Sequence, residues 1–187
     1  MNKEQQDDPA LAADIYRCCY ITGNFTLRSG RQSHEYFDKY QFAADPDLLR
    51  RVAVQLARLL PSDVEVLAGL ELGGIPLAVL LGQVTGLPCA FVRKEAKTYG
   101  TCRLAEGAAL EGRRVVIIED VVTSGGQVLE SVKACRALGA RIETVLCVVD
   151  RESGGSEALQ GEGLQLKPLY TSNALKAAAG RARSSAS

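Results

Sequence analysis

The sequence predicts an α/β domain, a twisted and largely parallel sheet with helices on both faces. Three observations predict it. Apolar runs rich in β-branched residues recur at 64–68, 89–92, 115–118 and 144–149, the pattern of strands covered on both sides. Helical patterns stand between them, at 75–84 and from Gly126 onward, and strands that alternate with helices build parallel sheets. Glycine-rich or polar segments follow the strands, at 69–74, 93–107, 119–126 and 150–155, so they collect at the carboxyl edge, where such sheets bind ligands.

Each element has a local reason. Asp8-Pro9 reads as a helix cap followed by proline in the first turn, with Leu11, Ile15 and Cys18 or Cys19 on one face. The segment 25–41 is polar yet carries four aromatics, Phe25, Tyr36, Phe37 and Tyr40. Asp45-Pro46 repeats the start signal for a helix whose apolar face is Leu48, Leu49, Val52, Leu56, Leu59 and Leu60, and Pro61 ends it. Beyond the strand at 115, Val128, Val132, Cys135 and Leu138 recur at helical spacing. The tail 174–187 is rich in Ala, Arg and Ser, and about 180–187 is expected to fray.

At 187 residues the chain is expected to form a single domain, 1–187. Lys plus Arg and Asp plus Glu are 22 each, so no overall basic field recruits nucleic acid, and any anion site must be local. The polar start MNKEQQDDPA and the lack of a membrane-length apolar run predict a cytoplasmic protein without a membrane partner. The six cysteines include no CxxC pair, and Cys135 and Cys147 fall on apolar patterns, so they read as small buried hydrophobes in a reducing compartment. His34 is the single histidine, which disfavours His-dependent triads and excludes an HExxH metalloprotease.

The chemistry concentrates in VVIIEDVVTSGG at 115–126, where a buried strand runs into two carboxylates and then into a hydroxyl- and glycine-rich turn that opens a helix. Unpaired N–H groups and the positive end of the helix dipole converge there on an anion, and glycine lets the main chain come close to it. No Gly-Lys dipeptide and no GxGxxG after a strand are present, so a Walker loop and the dinucleotide fingerprint are excluded. A turn without lysine suits a terminal phosphomonoester. Glu119 and Asp120 would accept hydrogen bonds from sugar hydroxyls and stabilise an oxocarbenium-like transition state, which implies a ribose 5-phosphate. The loop FVRKEAKTYG at 91–100 supplies Arg93, Lys94 and Lys97, cations suited to a closing lid that neutralises departing pyrophosphate.

These residues resemble the type I phosphoribosyltransferases, whose signature is the strand, acidic pair and Thr-Ser-Gly-Gly turn at 115–126. FTLRSGRQSHEYFD at 25–38, GLELGGIP at 69–76, RKEAK at 93–97 and DRESGG at 150–155 are similar to the substrate hood, pyrophosphate-side turn, lid and base-side loop of the orotate phosphoribosyltransferase family. The resemblance implies the type I phosphoribosyltransferase fold with an amino-terminal hood, mainly 1–45. It implies a magnesium-dependent transfer of phosphoribosyl from phosphoribosyl pyrophosphate (PRPP) to orotate, giving orotidine 5'-monophosphate and pyrophosphate. By motif, Glu119 and Asp120 would hold the ribose hydroxyls. Val121, Val122, Thr123, Ser124, Gly125, Gly126 and Gln127 would cradle the 5-phosphate. Arg93, Lys94, Lys97 and Tyr99 would meet pyrophosphate, with Lys97 the catalytic cation, while Thr123, Arg151, Arg28 and Phe37 would contact orotate.

Magnesium would be held by the substrate's own oxygens and by water, with no protein metal ligands, and a homodimer would share its lids between subunits. In one departure, the lid reads Lys97-Thr98-Tyr99-Gly100 where the family usually has Lys-x-His-Gly; a phenol donates a hydrogen bond but carries no positive charge at neutral pH. Two alternatives compete with this reading. A purine-base phosphoribosyltransferase calls for an aromatic stacking residue after Asp150, where Arg151-Glu152-Ser153 stand instead; a non-catalytic regulator calls for a basic face or a lid without lysines.

Overall fold

The first helix, α1 (Pro9–Cys19), begins as its sequence predicts: Asp8 Oδ1 accepts the Leu11 N–H at 2.9 Å, and Pro9 stands in the first turn. These features come from a computed structural model that describes residues 8–26, 30, 32–95 and 104–184. After α1 the aromatic segment, read from sequence only as polar, forms an antiparallel hairpin of β1 (Tyr20–Thr26) and β2 (Gln32–Phe37), apart from the main sheet. Tyr20 packs edge-on against Phe37 and Phe25 packs against Tyr36, which accounts for the aromatic richness: a two-stranded ribbon needs cross-strand ring contacts. A short α2 (Tyr40–Ala44) leads to α3 (Pro46–Ala57), where Asp45 Oδ1 caps both Asp47 and Leu48 at 3.0 Å.

The main sheet follows: β3 (Val66–Leu70), α4 (Gly74–Thr85), β4 (Cys89–Val92), β5 (Ala105–Gly107), β6 (Arg114–Val122), α5 (Gly126–Ala137), β7 (Arg141–Asp150), α6 (Gly155–Gly161), β8 (Gln165–Thr171) and α7 (Ser172–Ser184). The strand order is β5-β4-β3-β6-β7-β8, parallel except for β5 at one edge. The chain moves outward from β3 to β4 in one direction and from β6 to β8 in the other. The topological switch therefore lies between β3 and β6, and their carboxyl ends frame a crevice.

Alternate residues of each strand feed opposite faces. Leu67, Val116, Ile118, Leu146 and Val148 face a core closed by α1, α3, α4 and α7. Val66, Ala68, Val115, Ile117, Val145 and Cys147 face the other core, closed by α5 and α6 through Val128, Val132, Cys135 and Leu159. Leu138 departs from the predicted helical stripe: it sits past the end of α5 and is 46% exposed. The tail, expected to fray near 180, continues as α7 to Ser184, and Leu175 and Ala178 are buried in the core beside α1. Among the described residues no helix is long and apolar enough to cross a membrane. Cys18, Cys19, Cys89, Cys135 and Cys147 are free thiols, and burial pushes the Cys135 thiol up to about 11, which keeps it protonated and inert.

Candidate active site

The β6 strand is longer than its apolar run suggests. It continues through Glu119 and Asp120 to Val122, so the acids lie inside a paired strand, both buried against their neighbours. Glu119 Oε1 accepts the Asp120 N–H at 2.8 Å, and Asp120 Oδ1 accepts the Val121 N–H at 2.6 Å. Lys39, just beyond the hairpin, donates to Asp120 Oδ1 at 2.9 Å. Sequence reasoning missed this residue; its only signal was a lysine two places after Phe37 in the aromatic segment.

The turn after β3 closes over the same acids. A β-carbon at Gly73 would overlap Asp120 Oδ2, and one at Gly74 would overlap the Ile118 carbonyl. Asp120 Oδ2 is buried with no hydrogen-bond partner among the described residues. Glu71 reaches from this turn to accept the Lys94 N–H at 2.7 Å, which ties the start of the basic loop to the crevice.

Beyond β6, Thr123 and Ser124 are exposed, and Gly125 caps α5 at φ 79°, a left-handed conformation that favours glycine. No side chain caps α5, so its first N–H groups face outward for an anion. Gly126 and Gln127 are exposed in the first turn. The neighbouring loop presses close: a β-carbon at Gly155 would overlap the Thr123 carbonyl, and the Arg151 N–H donates to Val122 O at 2.9 Å. The Arg151 guanidinium then lies over the Phe37 ring, 5.6 Å from its centroid, so hairpin and β7 loop build one cationic and aromatic platform.

Of the predicted residues, Glu119, Asp120, Val121, Val122, Thr123, Ser124, Gly125, Gly126, Gln127, Arg151 and Phe37 converge on this edge. Arg93 and Lys94 start the basic loop beside it, and Arg93 Nε is buried without a hydrogen-bond partner among the described residues. Arg28, Lys97 and Tyr99 lie outside the described residues. His34 is exposed on the hairpin, hydrogen-bonded to Asn24 at 3.0 Å.

Burial raises the Glu119 carboxyl well above its ordinary range, helped by the adjoining Asp120 and opposed by Lys39. The folded chain therefore keeps a proton that the unfolded chain releases near 4.5, and the stability this gives is lost as pH rises from that value toward the folded one. Glu119→Gln, which keeps the acceptor for the Asp120 N–H, is expected to be more stable than the parent at pH 8 and equal to it near pH 4. Urea unfolding at the two pH values checks this; a variant less stable at pH 8 would contradict the assigned cost of burial.

The arrangement offers an anion cradle, acids for sugar hydroxyls and a platform for a flat anionic ring, all within one crevice. A model of the phosphoribosyl transferase domain matches residues 41–161. The chain is 52% identical over 171 residues to an orotate phosphoribosyltransferase of a Nocardioides species, covering 91% of this chain and 96% of that one. It is also similar to the solved Mycobacterium tuberculosis orotate phosphoribosyltransferase in complex with PRPP, at TM-score 0.79 and 29% identity, covering 91% and 99% of the two chains. An adenine phosphoribosyltransferase from Thermoanaerobacter pseudethanolicus, at TM-score 0.66 and 20% identity over 86% of this chain and 99% of that one, shares the fold alone.

Proposed function

The chain belongs to the orotate phosphoribosyltransferases of the phosphoribosyl transferase domain family, and from that premise we propose how its crevice moves a phosphoribosyl group from PRPP to orotate, giving orotidine 5'-monophosphate and pyrophosphate for pyrimidine synthesis. The observation that carries the reading is the junction at one sheet edge of an uncapped α5, a buried acid pair and the Arg151–Phe37 platform.

The 5-phosphate sits on the N–H groups of residues 123–127, where the helix dipole favours its charge. Glu119 and Asp120 take the ribose hydroxyls and, as the C1'–O bond to pyrophosphate breaks, stabilise the positive charge that gathers on the ring. Arg93, Lys94, Lys97 and Tyr99 draw the pyrophosphate away. Orotate lies beside the Arg151–Phe37 pair with its carboxylate toward Arg151, Arg28 and Thr123, so that its N1 bonds to C1' as the N1 proton passes to the departing pyrophosphate or to solvent. Magnesium prefers oxygen ligands. Among the described residues no three His, Cys, Asp or Glu side chains are grouped to hold a metal, and Asp120 Oδ1 is already bonded to Lys39 and Val121. The ion would fit this site carried on the donor's own oxygens and water, and there it would supply charge neutralisation for the leaving group.

A second copy of the chain completes the site. The α4 helix is apolar on its outer as well as its inner face: Val79 and Val84 are exposed, and a groove of about 390 Å³ lined by Val79, Leu87, Pro88 and Phe91 lies beside it. Because β4 leads directly into the basic loop, a neighbour docked on this face brings its lid to the opposite crevice. The enzyme acts in the cytoplasm.

Incubation with PRPP and magnesium should turn over orotate; turnover of hypoxanthine with none of orotate would overturn the assignment. Arg151→Ala is expected to raise KM for orotate about tenfold or more, because a carboxylate loses its charge-assisted partner, and to leave KM for the donor near its parent value. Initial rates at varied orotate check this.

A further inference from the structure

Lys39 reaches the buried acids from outside β6. Glu119 and Asp120 are 7% and 1% exposed, and buried charge is costly unless paired. The Lys39 ammonium lies 2.9 Å from Asp120 Oδ1, and the Val121 N–H meets the same oxygen at 2.6 Å. Two donors on Oδ1 fix the rotation of the carboxyl group and turn Oδ2 toward Gly73, the pyrophosphate-side turn. The same lysine follows β2, two residues after Phe37, so one ion pair joins the hairpin that receives the base to the strand that receives the ribose.

Resting on the assignment of the acid pair to the ribose hydroxyls, we propose that Lys39 is a positioning residue for the transfer: its ion pair fixes the Asp120 carboxylate and supplies the positive charge that offsets the two acids. Burial works against the Lys39 charge, but Asp120 and Glu119 hold its pKa above the ordinary lysine range. The groups around it are Tyr40 on its own helix, Asp120 and Glu119 on β6, and, behind Glu119 on β7, Cys147 and Asp150. Of these groups none other than Lys39 is a cation. Glu119, raised by burial and by Asp120, is lowered by Lys39, so loss of that charge moves Glu119 protonation to higher pH.

The test is the pH profile of kcat/KM for PRPP, with orotate and magnesium, in the full chain. Lys39→Gln keeps a donor and removes the charge; its acid limb is expected about one pH unit above the parent's, with about tenfold lower activity on that limb and a smaller deficit as pH rises. Lys39→Arg restores the parent limb. A folded Lys39→Gln with the parent's limb overturns the proposal. If Lys39→Gln does not fold, Lys39→Arg decides: a limb at the parent's position supports it and an upward displacement overturns it. A parent that makes no orotidine 5'-monophosphate fails the functional assignment instead. The limb is then read from the pH dependence of PRPP binding, so the two failures separate.

Discussion

Lys97→Ala is expected to lower kcat about 10²–10³-fold while leaving donor affinity within a few-fold, the effect of removing one charge that acts mainly in the transition state. Pyrophosphate carries its greatest uncompensated charge as the C1'–O bond breaks, and a cation on the lid is worth most at that moment. Single-turnover rates and equilibrium binding of PRPP separate the two effects; a parent-like rate would remove Lys97 from the chemistry. The same variant tests the proposed sharing of lids between subunits. Lys97→Ala subunits mixed with Asp120→Asn subunits should regain activity, because a heterodimer pairs an intact lid with an intact acid pair in one of its two crevices. Mixtures as inactive as either parent variant would place lid and acids in the same subunit.

Gly73→Ala is expected to lose about 1–3 kcal/mol of stability, the usual cost of overpacking, and to weaken PRPP binding as well. Gly73 has φ −73°, open to any residue, so backbone freedom does not explain glycine there. The reason is steric: the added methyl would occupy the place of Asp120 Oδ2 and force the carboxyl group off Lys39 or the turn off β6. Thermal unfolding and donor titration read both effects. A variant with parent stability and parent affinity would show that the close approach of the turn to Asp120 has no consequence.

The fold was legible where burial on both sides made the strands uniformly apolar. The run 115–118 lies inside β6, buried on both faces, and the start of α5 at Gly126 coincides with the structure. It was less legible where an element is half exposed or short. The β1–β2 hairpin has mostly exposed residues, so period-two patterning is weak, and its ring pairs show only once the register is known. β8 mixes Gln165, Lys167 and Pro168 into an edge strand, where exposure relaxes composition. In the crevice, the phosphate turn and acid pair are contiguous in sequence and could be read directly. Lys39 could not, since its partner lies 81 residues away and nothing local marks the contact. The platform of Arg151 and Phe37 was named residue by residue, but their meeting depends on the hairpin folding back over the sheet edge.

The central claim is that the amides opening α5 grip a sugar phosphate beside the buried acids. Titration of the ¹⁵N-labelled chain with ribose 5-phosphate tests it most directly. The largest amide shifts are expected at Ser124, Gly125, Gly126 and Gln127. Shifts confined to the opposite end of the sheet, around the groove lined by Arg114, Arg141 and Lys167, with those four amides unmoved, would contradict it.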